Sequence, residues 1–563
     1  MSTAPPGTSP GRPSGVPIRS IAAAAGSIAV ITLLARVVGF GRWFAFSHSV
    51  GATCVGSVYQ SVNAVPNVLY EIAAGGVLAA VAVPIVSAAL ARGDAEEADR
   101  TASALLTWAL VVLVPVGLIV AVAARPITGL LLGGVDGCAG AVDLGAGLLR
   151  VFAVQIPLYG LGIVLGGVLQ SHRRFVGAAL APLLSSLVVI VTYLVYGAVV
   201  TDPAAAPAAV PAAATTVLAF GTTLGVVALS VPLLLPLARA GVRLRPTLTF
   251  HDEVGARVRR LAVAGLLAVA GQQLATLVVI GIANARGGPG TLNVWTYVQA
   301  VALLPYAVLA VPLATAAFPS LARSAAREDG APGRAGAAVD TLRSTWLATI
   351  LAGTVAVGLI AAVARPVGSF FSLLDAGRGD ASGGAALASV PAALVLSAPG
   401  ILALSVIGLL SRASYVRGRA RAAGAVVAVG WLATTLVPLV ARTGPLDPGN
   451  TLEALAIGSS TGLLAGALGL GVLVARAWGR HALAVPVRPV AVVLLGAAAA
   501  AAGGWWVGGR WTPSGLASAA VECAVVGLGA VVVLAGVTLL GDRSVLARVR
   551  GARPQVVAGG DSR

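Results

Sequence analysis

The sequence predicts an all-α polytopic membrane protein of about fourteen transmembrane helices: two six-helix lobes in a parallel internal repeat, then two further helices. Three observations predict it. Of 563 residues, 58% are hydrophobic and only 10% charged, against roughly half apolar and a quarter charged in a soluble domain. The apolar residues fall into fourteen segments, each near the roughly 20 residues that a membrane helix needs. Finally, the first half echoes the second at an offset of roughly 240 residues. This composition leaves no room for a large soluble domain and excludes soluble-enzyme readings.

Residues 1–20, rich in Pro, Gly, Ser and Thr, cannot bury enough apolar surface to fold alone and read as a flexible cytoplasmic tail. The apolar run after them lacks a small-residue cleavage site followed by a soluble domain, which disfavours a signal peptide. The segments then lie near 21–46, 57–90, 102–124, 146–169, 175–200, 215–238, 261–284, 294–321, 343–364, 388–411, 422–441, 453–475, 487–508 and 515–541. The expected units are an N-terminal lobe over 21–240, a C-terminal lobe over 241–480, two added helices over 481–541 and a cytoplasmic tail over 542–563.

Orientation follows from the arginines. All 37 basic residues are arginine. With the N-terminus inside, the tails and even-numbered connections hold 28 of them, the odd-numbered connections seven, and the first span two, Arg36 and Arg42. Positive charge collects on the cytoplasmic face, so this asymmetry predicts an even helix count with both termini cytoplasmic. The net charge of +17 thus reports orientation at an anionic membrane surface rather than binding to nucleic acid.

The repeat is seen in VPIVSAALARGD (83–94) against FPSLARSAARED (318–329), and in the stretches 157–174 and 399–417. Six helices per repeat make the two halves parallel. The second helix carries Pro66 and Pro84, and its counterpart, the eighth, carries Pro305, Pro312 and Pro319. Proline frees a carbonyl and kinks a membrane helix where protein or a water-filled cavity satisfies the freed group. Broken helices at matching positions point to a central transport site.

Ionisable residues within spans are few: Arg36, Arg42, Glu71 and Glu522. Each costs about 2.5 kcal/mol or more near the bilayer centre, so each is expected to face a cavity or a partner. Arg36 and Arg42 are roughly 120° apart around the helix and 9 Å apart along it. Gly39 and Gly41 between them make bending cheap, so that both can line one cavity. The planar guanidinium fork suits phosphate oxygens, and two of them match a diphosphate, with Glu71 tuning their charge. Gln272, Gln273 and Gln299 are candidate sugar or peptide contacts. Cys54, Cys138 and Cys523 have no metal-ligand spacing and are too few for a disulfide framework, so they read as small apolar fillers. No HExxH, Walker loop, GxSxG or paired intramembrane aspartates appear, and neither an enzyme nor a cofactor or metal site is expected.

Several stretches resemble one family. LLARVVGFGRWFAF with VGA in the first helix, VPNVLYEIAAGGVLAAVAVP in the second and LQSHRRFVGAALAPLL between the fourth and fifth are similar to motifs of the MurJ/MviN lipid II flippases of the MOP transporter superfamily. So are FHDEVGARVRRLAVAGLLAVAGQQ, TYVQAVALLPYAVLAVPLATAAFPSLAR and SRASYVRGRARAAG. The resemblance runs in order over about 20–540. It implies two six-helix lobes around a central cavity, a groove for a polyprenyl tail in the last two helices, and alternating access. The cargo it implies is an undecaprenyl-diphosphate-linked disaccharide-pentapeptide, carried among membrane lipids in a bacterial inner membrane, with cell-wall synthesis proteins as further expected partners. The family's cavity arginines match Arg36 and Arg42. This chain has Trp43, Ser57, Tyr70, Gly75, Gln299 and Ala300 where the family has charged residues, and Glu71 lies on the same helical face as Gly75. Another polyprenyl-linked or amphipathic cargo, or a non-transporting scaffold for cell-wall enzymes, stays open as an alternative.

Overall fold

The computed structural model describes residues 18–542 apart from 74–85, 136, 173, 250–251, 331–335, 377–383 and 442–446. Gly75, Pro84 and most of both tails therefore lie outside the described residues, which are helical with no strand. The long helices are α1 (Ile18–Ser49), α2 (Cys54–Ile72), α3 (Ala95–Val122), α4 (Ala141–Ser171), α5 (Phe175–Val199), α6 (Ala212–Ala238) and α7 (Asp252–Gly287). They continue as α8 (Thr291–Ala325), α9 (Ala337–Asp375), α10 (Val390–Val416), α11 (Ala420–Val440), α12 (Pro448–Trp478), α13 (Arg480–Gly508) and α14 (Leu516–Gly541). Among the described residues, twelve helices are long and apolar enough to cross a membrane, and they correspond to predicted segments three to fourteen. The first two predicted segments overlap α1 and α2, which are not among those twelve.

Polar caps set several starts. Thr53 accepts from the Gly56 N–H to begin α2, and Asp94 accepts from Glu97 N–H at 2.8 Å to begin α3. Glu96 and Glu97 then lie in the first turn of α3, where the helix dipole favours negative charge. Asp447 caps α12 in the same way, with Pro448 opening the helix.

Within the first half, α1 packs on α5, α5 on α6 and α3 on α4; within the second, α10 lies between α9 and α12, and α11 packs on α7 and α12. The added helices α13 and α14 pack on each other and on α9 through Ala362, Ala497, Ala500, Ala530 and Leu534. Such small residues let helices approach where no hydrophobic effect separates side chain from lipid. Their other faces present Leu494, Leu495, Leu528, Val532 and Leu540 outward.

The cores reveal how the lobes meet. At the rim of the odd-numbered connections one core is common to both lobes, including Phe46, Val58, Leu132, Tyr193, Tyr297, Phe371 and Leu455. Elsewhere the lobes keep separate cores, one built from α8 to α12 and the start of α13, the other from α3 to α6. Among the described residues they are therefore joined by a common core at one rim and have separate cores toward the other.

The segment between the lobes follows the first. Arg243, Arg245 and Thr247 donate their backbone N–H groups to Asp99, Ser103 and Thr107 of α3, and the Trp108 indole donates to the Leu248 carbonyl.

One expectation is overturned. Cys54 and Cys138 are not apolar fillers but a disulfide, with Cα atoms 5.6 Å apart and positions 84 apart in sequence. The fold lays the start of α2 against the turn before α4, a proximity that cysteine spacing alone does not encode. Only Cys523 remains free.

Candidate substrate cavity

The roof of the cavity is the joined rim. There Asn284 of α7 donates to the Ser61 hydroxyl at 2.8 Å and to the Leu131 carbonyl at 2.9 Å. Asn293 donates to the Gly51 carbonyl, the Gly290 N–H to the Ser57 hydroxyl, and the Ala52 N–H to the Asp375 carboxylate. All five bonds cross between the lobes. Glycine allows this closeness: Gly290 has φ of 82°, and a Cβ there would meet the Ala52 carbonyl, while one at Gly56 would meet the Asn293 amide. An aromatic layer also crosses, with Phe44 against Phe370 at 5.2 Å and Phe46 against Tyr297 at 6.4 Å.

Beneath this roof lie two connecting chambers. The chamber on the N-terminal side, about 440 Å³, is lined by Trp43, Asn63, Asn67, Glu71, Gln273 and Ala300, among others. The chamber on the C-terminal side, about 680 Å³, lies between α8, α10 and α11. Gln272, Gln299, Trp295 and Trp431 line both and so join them. Four of the six predicted binding residues, Glu71, Gln272, Gln273 and Gln299, thus converge on one cavity.

The two arginines of α1 are placed differently. Arg42 is half-buried, its guanidinium 5.7 Å from the Trp43 ring. Tyr59 and Tyr193 are hydrogen-bonded to each other in the same lobe. Tyr159 donates to Asn67, which lines the first chamber. Arg36 is exposed and lines neither chamber. Gly39 and Gly41 lie inside an unbroken helix, as does the buried Pro66. In α8 the prolines leave a visible mark. The α-helix ends at Pro305, residues Tyr306–Ala310 form a π-helical turn, and Val311 resumes the α-helix that carries Pro319. A π turn beside a cavity frees carbonyls and re-aims side chains, here bringing Tyr306 into the second chamber.

Arg412 was absent from the expected site. The arginine count placed it in an inner connection, but α10 runs to Val416 and puts it in the wall of the second chamber. Its neighbours SRASYV contain no helix breaker, which is the signal that could have extended the helix past it. Asn284 and Asn293 were also missed, although an amide within an apolar span is itself a sign of an interhelical contact. Among the described residues no group of three or more His, Cys, Asp or Glu side chains could hold a metal ion.

Residues 46–522 match the family model described as lipid II flippase MurJ. The chain belongs to that family. Among curated relatives, the probable lipid II flippase MurJ of Haemophilus influenzae is 24% identical over 310 residues, 53% of this chain and 58% of that protein. The lipid II flippase MurJ of Burkholderia cenocepacia is 26% identical over 306 residues, 53% of this chain and 56% of its own. The aligned part thus spans a little over half the length of either relative. Among solved structures, a lipid II flippase MurJ in an inward closed conformation covers 92% of this chain and 99% of its own, with a TM-score of 0.69 at 15% identity. An inward-facing multidrug resistance MATE transporter of the MOP superfamily covers 80% and 98%, with a TM-score of 0.60 at 16% identity. At such identities the likeness is one of fold. This MurJ-family chain shares with them an all-helical, multi-span architecture.

Proposed function

We propose that this chain flips lipid II, the undecaprenyl-diphosphate-linked cell-wall precursor, from the inner to the outer leaflet by alternating access. The observation that carries the reading is a cavity, with Glu71, Arg412 and three glutamines in its wall, between two halves that among the described residues share a core at one rim, in a chain of the lipid II flippase family. Glu71 and the glutamines suit the sugar and peptide of the cargo, Arg42 lies beside the same cavity, and α13–α14 suit the polyprenyl tail. An inside-negative potential favours outward movement of the anionic cargo by about 2.3 kcal/mol per charge per 100 mV.

The decisive experiment is complementation of a bacterium depleted of its lipid II flippase. The chain should restore growth, and Arg42→Ala should reduce it, because removing the fork loses a bidentate hydrogen-bond donor beside the cavity. Membrane-inserted chain that supports no growth would favour another cargo or the scaffold role.

For orientation, we infer that both termini are cytoplasmic and that the joined rim faces outward, where an oxidising compartment supports the Cys54–Cys138 bridge. A reporter active only outside the membrane, fused after Arg563, should be silent. Strong activity would reverse the topology.

A further inference from the structure

The two chambers differ in charge. The chamber on the N-terminal side has one charged lining residue, the carboxylate Glu71. The chamber on the C-terminal side has one as well, and it is Arg412. Arg412 is half-buried and donates one N–H to the Gly408 carbonyl a turn earlier, at 2.7 Å. Among the described residues no carboxylate lines its chamber, and Arg412 is in neither of the ion pairs Arg92–Glu97 and Arg125–Asp143. Two tyrosines line the same chamber, Tyr306 on the π turn and Tyr415 on the next turn of α10. The Tyr306 hydroxyl and an Arg412 guanidinium nitrogen both approach Gly408, each within 4 Å of where its Cβ would stand. Gln272, Gln299 and Ser411 complete a wall of hydrogen-bonding groups.

We propose that Arg412, with Tyr306 and Tyr415, forms an anion site for a phosphate or diphosphate group on the C-terminal side of the cavity. A guanidinium has five N–H donors and binds phosphate oxygens bidentately, and phenolic hydroxyls add neutral donors. Neutralising a cation that has no carboxylate beside it among the described residues favours occupancy by an anion. The charge difference also sets an orientation. Phosphate is drawn toward Arg412 and repelled by Glu71, so the uncharged amide and hydroxyl groups of the same ligand fill the other chamber. Through Tyr306 the bound anion would touch the π turn, the one break in the eighth helix.

This inference rests on the lipid-linked reading of the cargo, and the test separates the two. The full-length chain in nanodiscs of zwitterionic lipid is titrated with undecaprenyl diphosphate and with inorganic pyrophosphate, for the parent, Arg412→Gln, Arg412→Lys and Tyr306→Phe. Undecaprenyl diphosphate should bind the parent, and Arg412→Gln should weaken it about tenfold to a hundredfold, the range for a charge-assisted contact. Arg412→Lys should recover part of the loss, as a point charge replaces a fork. Tyr306→Phe, which keeps the ring and the packing, should weaken binding a few-fold, which keeps the test valid if Arg412→Gln does not fold. Equal affinity of the parent and the folded variants for both probes overturns the anion site while leaving the cargo reading intact. Pyrophosphate binding that depends on Arg412, with no gain from the polyprenyl chain, supports the site and overturns the lipid-linked reading. Binding of neither probe overturns the site.

Discussion

Loss of the Cys54–Cys138 bridge is expected to destabilise the folded chain by about 4 kcal/mol. The bridge closes a loop of 84 residues that contains α2 and α3, and in the chain-entropy description such a constraint removes freedom mainly from the unfolded ensemble. Replacing both cysteines by serine, or reducing the parent, should lower the melting midpoint in detergent by on the order of 5 °C, given the small shift per kcal/mol in a large chain. Cys523 is an internal control, because it is free in both states. A midpoint indifferent to reductant and to the double substitution would show that the bridge contributes nothing to stability.

A second large effect is expected at the roof. Asn284→Ala removes two buried donors that cross between the lobes, to Ser61 and to Leu131. Each such bond contributes about 1 kcal/mol net, so the joined rim should weaken by about 2 kcal/mol, roughly a thirtyfold shift toward states parted at that rim. Amide hydrogen exchange over 54–61 and 284–293 should accelerate accordingly, while exchange at the α9–α13 contact should not change. Asn293→Ala, which loses a single bond to Gly51, should show the same pattern more weakly. Unchanged exchange in Asn284→Ala would mean that the aromatic layer alone holds the rim.

The helical architecture was legible because spans announce themselves by length and apolarity, and predicted segments three to fourteen each correspond to a helix. Glu71 and the three glutamines were legible as site candidates because polar groups in apolar spans are costly unless they meet a cavity. What escaped was pairwise. Cys54 and Cys138 are joined by the path of the chain between them, and no local spacing records that path. Asn284 and Asn293 act through partners more than 150 residues away. Arg412 was hidden by a boundary: an arginine near a span end looks like loop until the helix is seen to run one more turn. The break in α8 was readable from Pro305 and Pro312, but its form as a π turn was not.

The segment after the first lobe has a simple numerical property. Every second residue of it, Arg243, Arg245 and Thr247, meets every fourth residue of α3, Asp99, Ser103 and Thr107. Two extended residues advance about 6.7 Å and four helical residues about 6.0 Å, so the two periods stay in step over three contacts and would drift apart soon after. The strap is thereby consumed almost to its end. Among the described residues the last backbone contact of this segment with α3 is at Leu248, and the three peptide units from Thr249 to Asp252 follow it. Fully extended they span about 10 Å. The start of α7 is thus on a leash of that length, and its anchor post is a helix of the first half of the chain.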